Sequence, residues 1–152
     1  MTVQSSDIPA IGRVVVVDDD RADQLFYRRI IRRSKLADDI IMFDYAEEAL
    51  EFLSGDDCPP VDVILLDINM PRMNGFEFLE EASRRLGPDL GNTLVVMLTS
   101  SLDPRDLQRA QRYEAVKGYL SKPLTVDCLE KISALLAGKL KREANSGLLL
   151  HQ

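Results

Sequence analysis

The chain has 152 residues, 45% of them hydrophobic and 29% charged, with a formal net charge of −6 at pH 7. That is the length of one domain, able to bury roughly 70% of its unfolded surface, and its acidity opposes binding to nucleic acid, whose phosphates would repel it. The longest unbroken apolar run, residues 94–98, is far too short to span a membrane.

Residues 1–12 carry no basic segment ahead of an apolar one, so no targeting signal is expected there. Residues 13–18 read as a first strand, in which Val14 to Val17 run straight into Asp18, Asp19 and Asp20. Residues 21–35 have helical spacing, with Leu25, Phe26 and Ile30 expected on the core side. Arg28, Arg29, Arg32, Arg33 and Lys35 give the same helix a dense basic face. A strand at 40–45 leads to a helix at 46–53, stopped by Ser54 and Gly55. The third strand, 61–67, ends on Asp67. The next helix, 75–86, aligns Phe76, Leu79, Ser83 and Leu86 before Gly87 and Pro88 halt it. Residues 94–99 form a fourth strand ending on Thr99, and Asp103 and Pro104 are the N-cap and first position of a helix over 104–113. A short strand at 118–121 runs into Lys122 and Pro123. The last helix, 126–140, carries Leu129, Ile132, Leu136 and Leu140 on one stripe.

Near-continuous hydrophobicity is what strands buried on both faces require, and that implies parallel pairing with helices on either side. The alternation predicts a (βα)5 α/β domain, a doubly wound five-stranded parallel sheet with right-handed crossovers. It occupies residues 13–140, between an N-terminal tail at 1–12 and a C-terminal tail at 141–152 with no output domain. His151 falls in that tail, which leaves no histidine for a Ser–His or Cys–His pair. The tail's short apolar patch at 148–150 is expected to fray, docking on the body of the domain being the alternative. Cys58 and Cys128 are too few for a disulfide framework or zinc site and are expected to be thiols, as in a reducing cytoplasm.

Four strands end on residues that suit charged chemistry, and the carboxyl edge of such a sheet is where ligands bind. Asp18, Asp19 and Asp67 gathered there repel one another, by roughly 4 kcal/mol for a pair about 4 Å apart at an effective dielectric near 20. A cation must compensate. Carboxylates with a carbonyl and retained waters suit Mg²⁺, and Lys122 supplies a fixed positive charge from the neighbouring strand end. Each element has a plainer reading alone, as an N-cap, a polar loop or a solvated turn; the combination at one edge is what points to a site.

The wording of these segments resembles the receiver domain of bacterial two-component response regulators. Val17-Asp18-Asp19, Leu66-Asp67-Ile68-Asn69-Met70-Pro71 with Asn74-Gly75, Leu98-Thr99-Ser100 and Tyr119-Leu120-Ser121-Lys122-Pro123 carry the resemblance. It implies a flavodoxin-like strand order 2-1-3-4-5 and a stand-alone, chemotaxis-regulator-like module. Asp67 would be the phosphoacceptor, served by a sensor histidine kinase or a histidine phosphotransfer protein. Asp19, Asp67 and the main-chain carbonyl of Asn69 would hold Mg²⁺ directly, and Asp18 through water. Lys122 and Thr99 would assist transfer, and the Lys122–Pro123 bond would be cis. Thr99 and Tyr119 would form the switch, the tyrosine turning inward as the hydroxyl moves. The basic face of the first helix has the plain reading of a solvated surface; its alternative, since the first helix meets the donor in this family, is that Arg28 and Arg32 would face the phosphodonor. Asn69 and Ser101 would flank the path of a hydrolytic water.

The resemblance further implies a cytoplasmic signalling protein that catalyses only its own phosphorylation and dephosphorylation. It would contact a downstream target, as a monomer or a phosphorylation-linked homodimer. A relay intermediate or phosphate sink is the alternative. The long connection at 84–93 and the extra turn at 102–104 are similar to stand-alone receivers that accompany phytochrome-type sensor kinases. A flavodoxin-like FMN protein would require a hydroxyl- and glycine-rich loop where this chain has Asp18-Asp19-Asp20. A small-substrate phosphotransferase would require a capping insertion, and none is present.

Overall fold

The computed structural model describes residues 11–141, the last three for their backbone only. The tail residues 1–10 and 142–152, with His151 and the 148–150 patch, lie outside the described residues, as does the side chain of Leu140. Five strands, β1 (Ile11–Val17), β2 (Ala37–Phe43), β3 (Val63–Asp67), β4 (Leu94–Thr99) and β5 (Val116–Ser121), alternate with five helices. These are α1 (Arg21–Ser34), α2 (Ala46–Ser54), α3 (Gly75–Leu86), α4 (Pro104–Ala110) and α5 (Val126–Lys141). All strand pairs are parallel, in the order β2-β1-β3-β4-β5.

The apolar runs are continuous because successive side chains enter two different cores. Val15, Val17, Ile64, Leu66, Val95 and Met97 point toward α2, α3 and α4. Val14, Val16, Val63, Leu65, Leu94, Val96 and Leu98 point toward α1 and α5. The chain reverses its direction of winding between β1 and β3, so their carboxyl ends flank a crevice. Asp18 follows one of those ends, and Asp67 closes the other.

Several boundaries differ from the sequence expectation. β1 starts at Ile11, inside the stretch expected as a tail at 1–12, because Ile11 is buried, pairs with Ala37 and donates its N–H to Leu36 O at 2.7 Å. β2 starts earlier than 40, since Asp38 and Asp39 are tolerated on an edge strand and Asp39 pairs with Arg13 at 2.8 Å. Val61 and Asp62 precede β3, where the Asp62 carboxylate accepts the N–H groups of Gly12 and Arg13. β5 begins at Val116, two residues early, and α4 stops at Ala110. The connection after α3 contains a 3-10 helix, Gly87–Asn92, anchored by buried Leu90.

Two side-chain expectations are corrected. On α1, Leu25 is 68% and Phe26 38% exposed, while Tyr27 and Ile31 form the buried stripe. A consecutive Leu-Phe pair suggests a core face, but Tyr27 and Ile31 share a side at the four-residue spacing, and the phenol finds a buried partner. On α3, Ser83 is exposed and Ala82 packs in its place. Cys58 and Cys128 are thiols, as expected.

Candidate functional site

The site grows from three chain turns at the carboxyl edge. After β1, Asp18 turns back beneath its own loop and its Oδ1 accepts the Asp20 N–H at 2.9 Å. Asp20 then caps α1 by accepting the Asp23 N–H at 2.9 Å. After β3, the loop carrying Asn69 closes at Asn74, whose side chain forms a reciprocal capping box with Glu77. Gly75 opens α3 against that strand end: a Cβ there would lie 2.6 Å from the Asp67 carbonyl oxygen. Arg72, with a φ of 69°, pins the same loop to the start of α2, stacking 3.9 Å above the Tyr45 ring and pairing with Glu47 at 3.2 Å. After β5, the Lys122–Pro123 peptide is cis, and Lys122 N–H donates to Thr99 O at 2.8 Å.

These turns bring Asp18, Asp19, Asp67, Thr99 and Lys122 together, as expected. Asp18 and Asp67 are buried, at 1% and 6% exposure, and Asp19 is exposed. One carboxylate oxygen from each of the three acids lies within 4.8 Å of the other two. At that separation a pair of unit charges repels by about 3 kcal/mol at an effective dielectric near 20. The Lys122 ammonium relieves this in part, sitting 3.2 Å from Asp18 Oδ2 and 3.4 Å from Asp67 Oδ1.

The field is uneven. Burial, with the Asp18 charge adding to it, pushes Asp67 up from its ordinary 3.8 to about 6, against the pull of Lys122 and the Asn69 main-chain N–H. Burial also raises Asp18, though the Asp20 N–H and Lys122 oppose it. Burial alone would lower Lys122, but its carboxylate neighbours outweigh that and hold the ammonium above its ordinary value.

Two residues of the site were absent from the sequence expectation. Asp23 Oδ2 lies 2.9 Å from Lys122 Nζ, nearer than either other carboxylate. Tyr27 donates its hydroxyl to Asp18 Oδ2 at 3.1 Å from the buried side of α1. A four-residue spacing puts Asp23 and Tyr27 on one side of α1, a signal for a shared face that names neither partner.

Thr99 is 1% exposed; its hydroxyl donates to Ser101 O at 2.9 Å and accepts the Ser101 N–H at 3.1 Å. Tyr119 occupies the inward position, buried in the core toward α3 and α4. The inward turn expected to accompany movement of the Thr99 hydroxyl is thus already present with Thr99 bonded to Ser101. Its hydroxyl lies near the Asp103 main chain but closes no hydrogen bond among the described residues. Asn69 and Ser101 are exposed beside the site. Arg28 and Arg32 stand apart from it on α1, Arg28 lining a shallow hollow with Arg21, Gln24, Leu25 and Met42.

The donor set fits a small hard cation: anionic oxygens from three carboxylates, with an exposed loop beside them to supply a carbonyl and water. The buried carboxylate of Asp67 has an ammonium and a hydroxyl-bearing strand end at its side. This arrangement can accept an electrophilic group and neutralise the charge it brings.

The comparisons agree with that geometry. Residues 14–134 match the model of the response regulator receiver domain. The chain is 28% identical over 123 residues to response regulator Rcp1 of Synechocystis, covering 78% of this chain and 82% of Rcp1. It is 26% identical over 112 residues to the sensory/regulatory protein RpfC of Xanthomonas campestris, covering 74% of this chain but only 15% of RpfC's length. A two component response regulator from Cytophaga hutchinsonii superposes with a TM-score of 0.78 at 30% identity, over 84% of this chain and 98% of that one. Among the described residues no helix is long and apolar enough to cross a membrane. Receiver domains bind Mg²⁺ at an acidic pocket of the kind formed by Asp18, Asp19 and Asp67. With its fold, its acidic crevice and the family match all coinciding, the chain belongs to the receiver domains of two-component response regulators.

Proposed function

We propose that Asp67 is the phosphoacceptor of this receiver and that Asp19, Asp67 and the Asn69 carbonyl hold Mg²⁺, with Asp18 reaching it through water. The observation that carries this is the placement of Asp67: a buried carboxylate at the switch point, 3.4 Å from the Lys122 ammonium. Asp18 has one oxygen taken by a main-chain N–H and the other by Tyr27 and Lys122, which supports an indirect role for it. The metal would neutralise charge on the transferred group's equatorial oxygens.

In the transfer step a carboxylate oxygen of Asp67 bonds to phosphorus as the phosphorus–nitrogen bond of a phosphohistidine breaks. The electron pair of that bond stays on the imidazole of the donor kinase or phosphotransfer protein. Lys122 holds one oxygen of the group on Asp67 by charge. Thr99 donates to another by releasing Ser101 O, so its hydroxyl is the moving part of the switch. Tyr119 already fills the inward site while Thr99 is bonded to Ser101, so it backs the hydroxyl of the switch from the core side. Exposed Asn69 and Ser101 leave a path for the hydrolytic water, so the protein catalyses its own dephosphorylation as well as its phosphorylation.

Arg28 and Arg32 supply the donor-facing charge. Leu25 and Phe26, exposed on the same helix, add apolar contact. The protein works in the cytoplasm and signals through contact with a downstream target, as a monomer or a phosphorylation-linked homodimer. Relay of the group to a second histidine is the other use of the same site. A phosphotransfer profile against the histidine kinases and phosphotransfer proteins of the source organism tests this: one rapid donor labelling Asp67 is expected, and labelling at another residue contradicts it.

A further inference from the structure

We propose that Asp23 is a positioning residue that anchors the Lys122 ammonium for the group on Asp67; the proposal rests on Asp67 being the phosphoacceptor. Three carboxylates surround Nζ. Asp23 is the nearest at 2.9 Å, then Asp18 at 3.2 Å and Asp67 at 3.4 Å. An ammonium has three N–H donors, and two of them are taken here by hydrogen bonds to Asp23 and Asp18. The third is left for the Asp67 side, where an oxygen of the transferred group would arrive.

Both anchors are themselves held. Asp18 is fixed from behind by the Tyr27 hydroxyl at 3.1 Å and by the Asp20 N–H at 2.9 Å. Asp23 sits in the first turn of α1, its own N–H tied to the Asp20 cap at 2.9 Å. A lysine carries its charge on a flexible four-carbon stem, so a single partner leaves the head free to swing. Asp18 and Asp23 approach from β1 and α1 and hold that head between them. Asp23 thus does for the lysine what a helix cap does for a backbone: it removes alternatives before the group arrives.

Asp23 also carries a negative charge that would repel an anionic donor, and this opposes the anchoring effect. A double-mutant cycle separates the two. Initial rates of labelling by acetyl phosphate with Mg²⁺ are measured for wild type, Asp23→Asn, Lys122→Ala, the double variant and Asp23→Glu. Asp23→Asn is expected to slow labelling about fivefold, the rate equivalent of one net hydrogen bond. In the Lys122→Ala background the same change is expected to cause no slowing, and Asp23→Glu is expected to recover most of the rate. With wild type labelling, an Asp23→Asn change that lowers the rate by no larger a factor than it does in the Lys122→Ala background overturns the anchoring role alone. Equal slowing with and without Lys122 is one such result, since the effect would not pass through the lysine. A wild type that takes no label at Asp67 overturns the phosphoacceptor reading as well.

Discussion

Replacing Asp67 with Asn removes a carboxylate that the fold holds against its own electrostatics. Its burial and the adjacent Asp18 charge lift it from 3.8 to about 6. The protonated form is therefore the one the folded state prefers. Its contribution is fully present below the ordinary value and is lost as pH rises through about 6. A displacement of about two pH units is worth about 3 kcal/mol, fully felt near pH 7 and above. The Asn variant escapes that cost, so in chelator at pH 7.5 it should be more stable than wild type by about 3 kcal/mol, or roughly 6–12 °C in Tm for a domain of this size. By pH 5 about half of the gap should be gone, because wild-type Asp67 is then largely protonated when folded. Saturating Mg²⁺ should also narrow the gap by stabilising the wild type, by about 2.7 kcal/mol at a hundredfold excess over Kd. Urea denaturation of both proteins at the two pH values, with and without Mg²⁺, reads all of this. Equal stability at pH 7.5, or a gap that widens as pH falls, would refute the reasoning.

Three further outcomes are expected. Asp19→Ala should weaken Mg²⁺ binding more than tenfold by calorimetry, since an exposed ligand is lost while the buried pair remains; unchanged affinity would move the ligand set elsewhere. Arg28→Glu combined with Arg32→Glu should leave acetyl phosphate labelling intact but slow transfer from the cognate phosphohistidine protein, with a defect that shrinks as salt rises; equal slowing with both donors would locate the damage in the fold. Gly75→Ala should cost about 1–3 kcal/mol in urea denaturation, because its Cβ would meet the Asp67 carbonyl oxygen at 2.6 Å and Ile68 Cα at 3.0 Å, both backbone atoms.

The strand cores and the chemical edge were legible because each rests on local wording. Val14 to Val17 and Leu94 to Leu98 can only be strands with two buried faces, and Asp18 and Thr99 follow directly from where those strands stop, as Asp67 and Lys122 do from the ends of β3 and β5. The edge strand β2 was harder, because Asp38 and Asp39 interrupt the pattern where one side of the strand meets water. Asp23 and Tyr27 were missed for a different reason. Their roles depend on the rotation of α1 about its axis, and Leu25 with Phe26 suggests the wrong rotation until the Tyr27 hydroxyl is seen to need Asp18. No local pattern reveals a partner a hundred residues away, as Lys122 is from Asp23. The inward Tyr119 is likewise a matter of packing against α3 and α4, which its neighbours in sequence do not specify.

The central claim is that a single carboxylate, Asp67, takes the phosphoryl group. Incubation with acetyl phosphate and Mg²⁺, followed by intact-mass measurement and peptide mapping, tests it most directly. One added phosphoryl mass is expected, labile to base and hydroxylamine, mapped to Asp67 and absent from Asp67→Asn. Persistent labelling of that variant at Asp18 or Asp19, or a hydroxylamine-stable product, would contradict it.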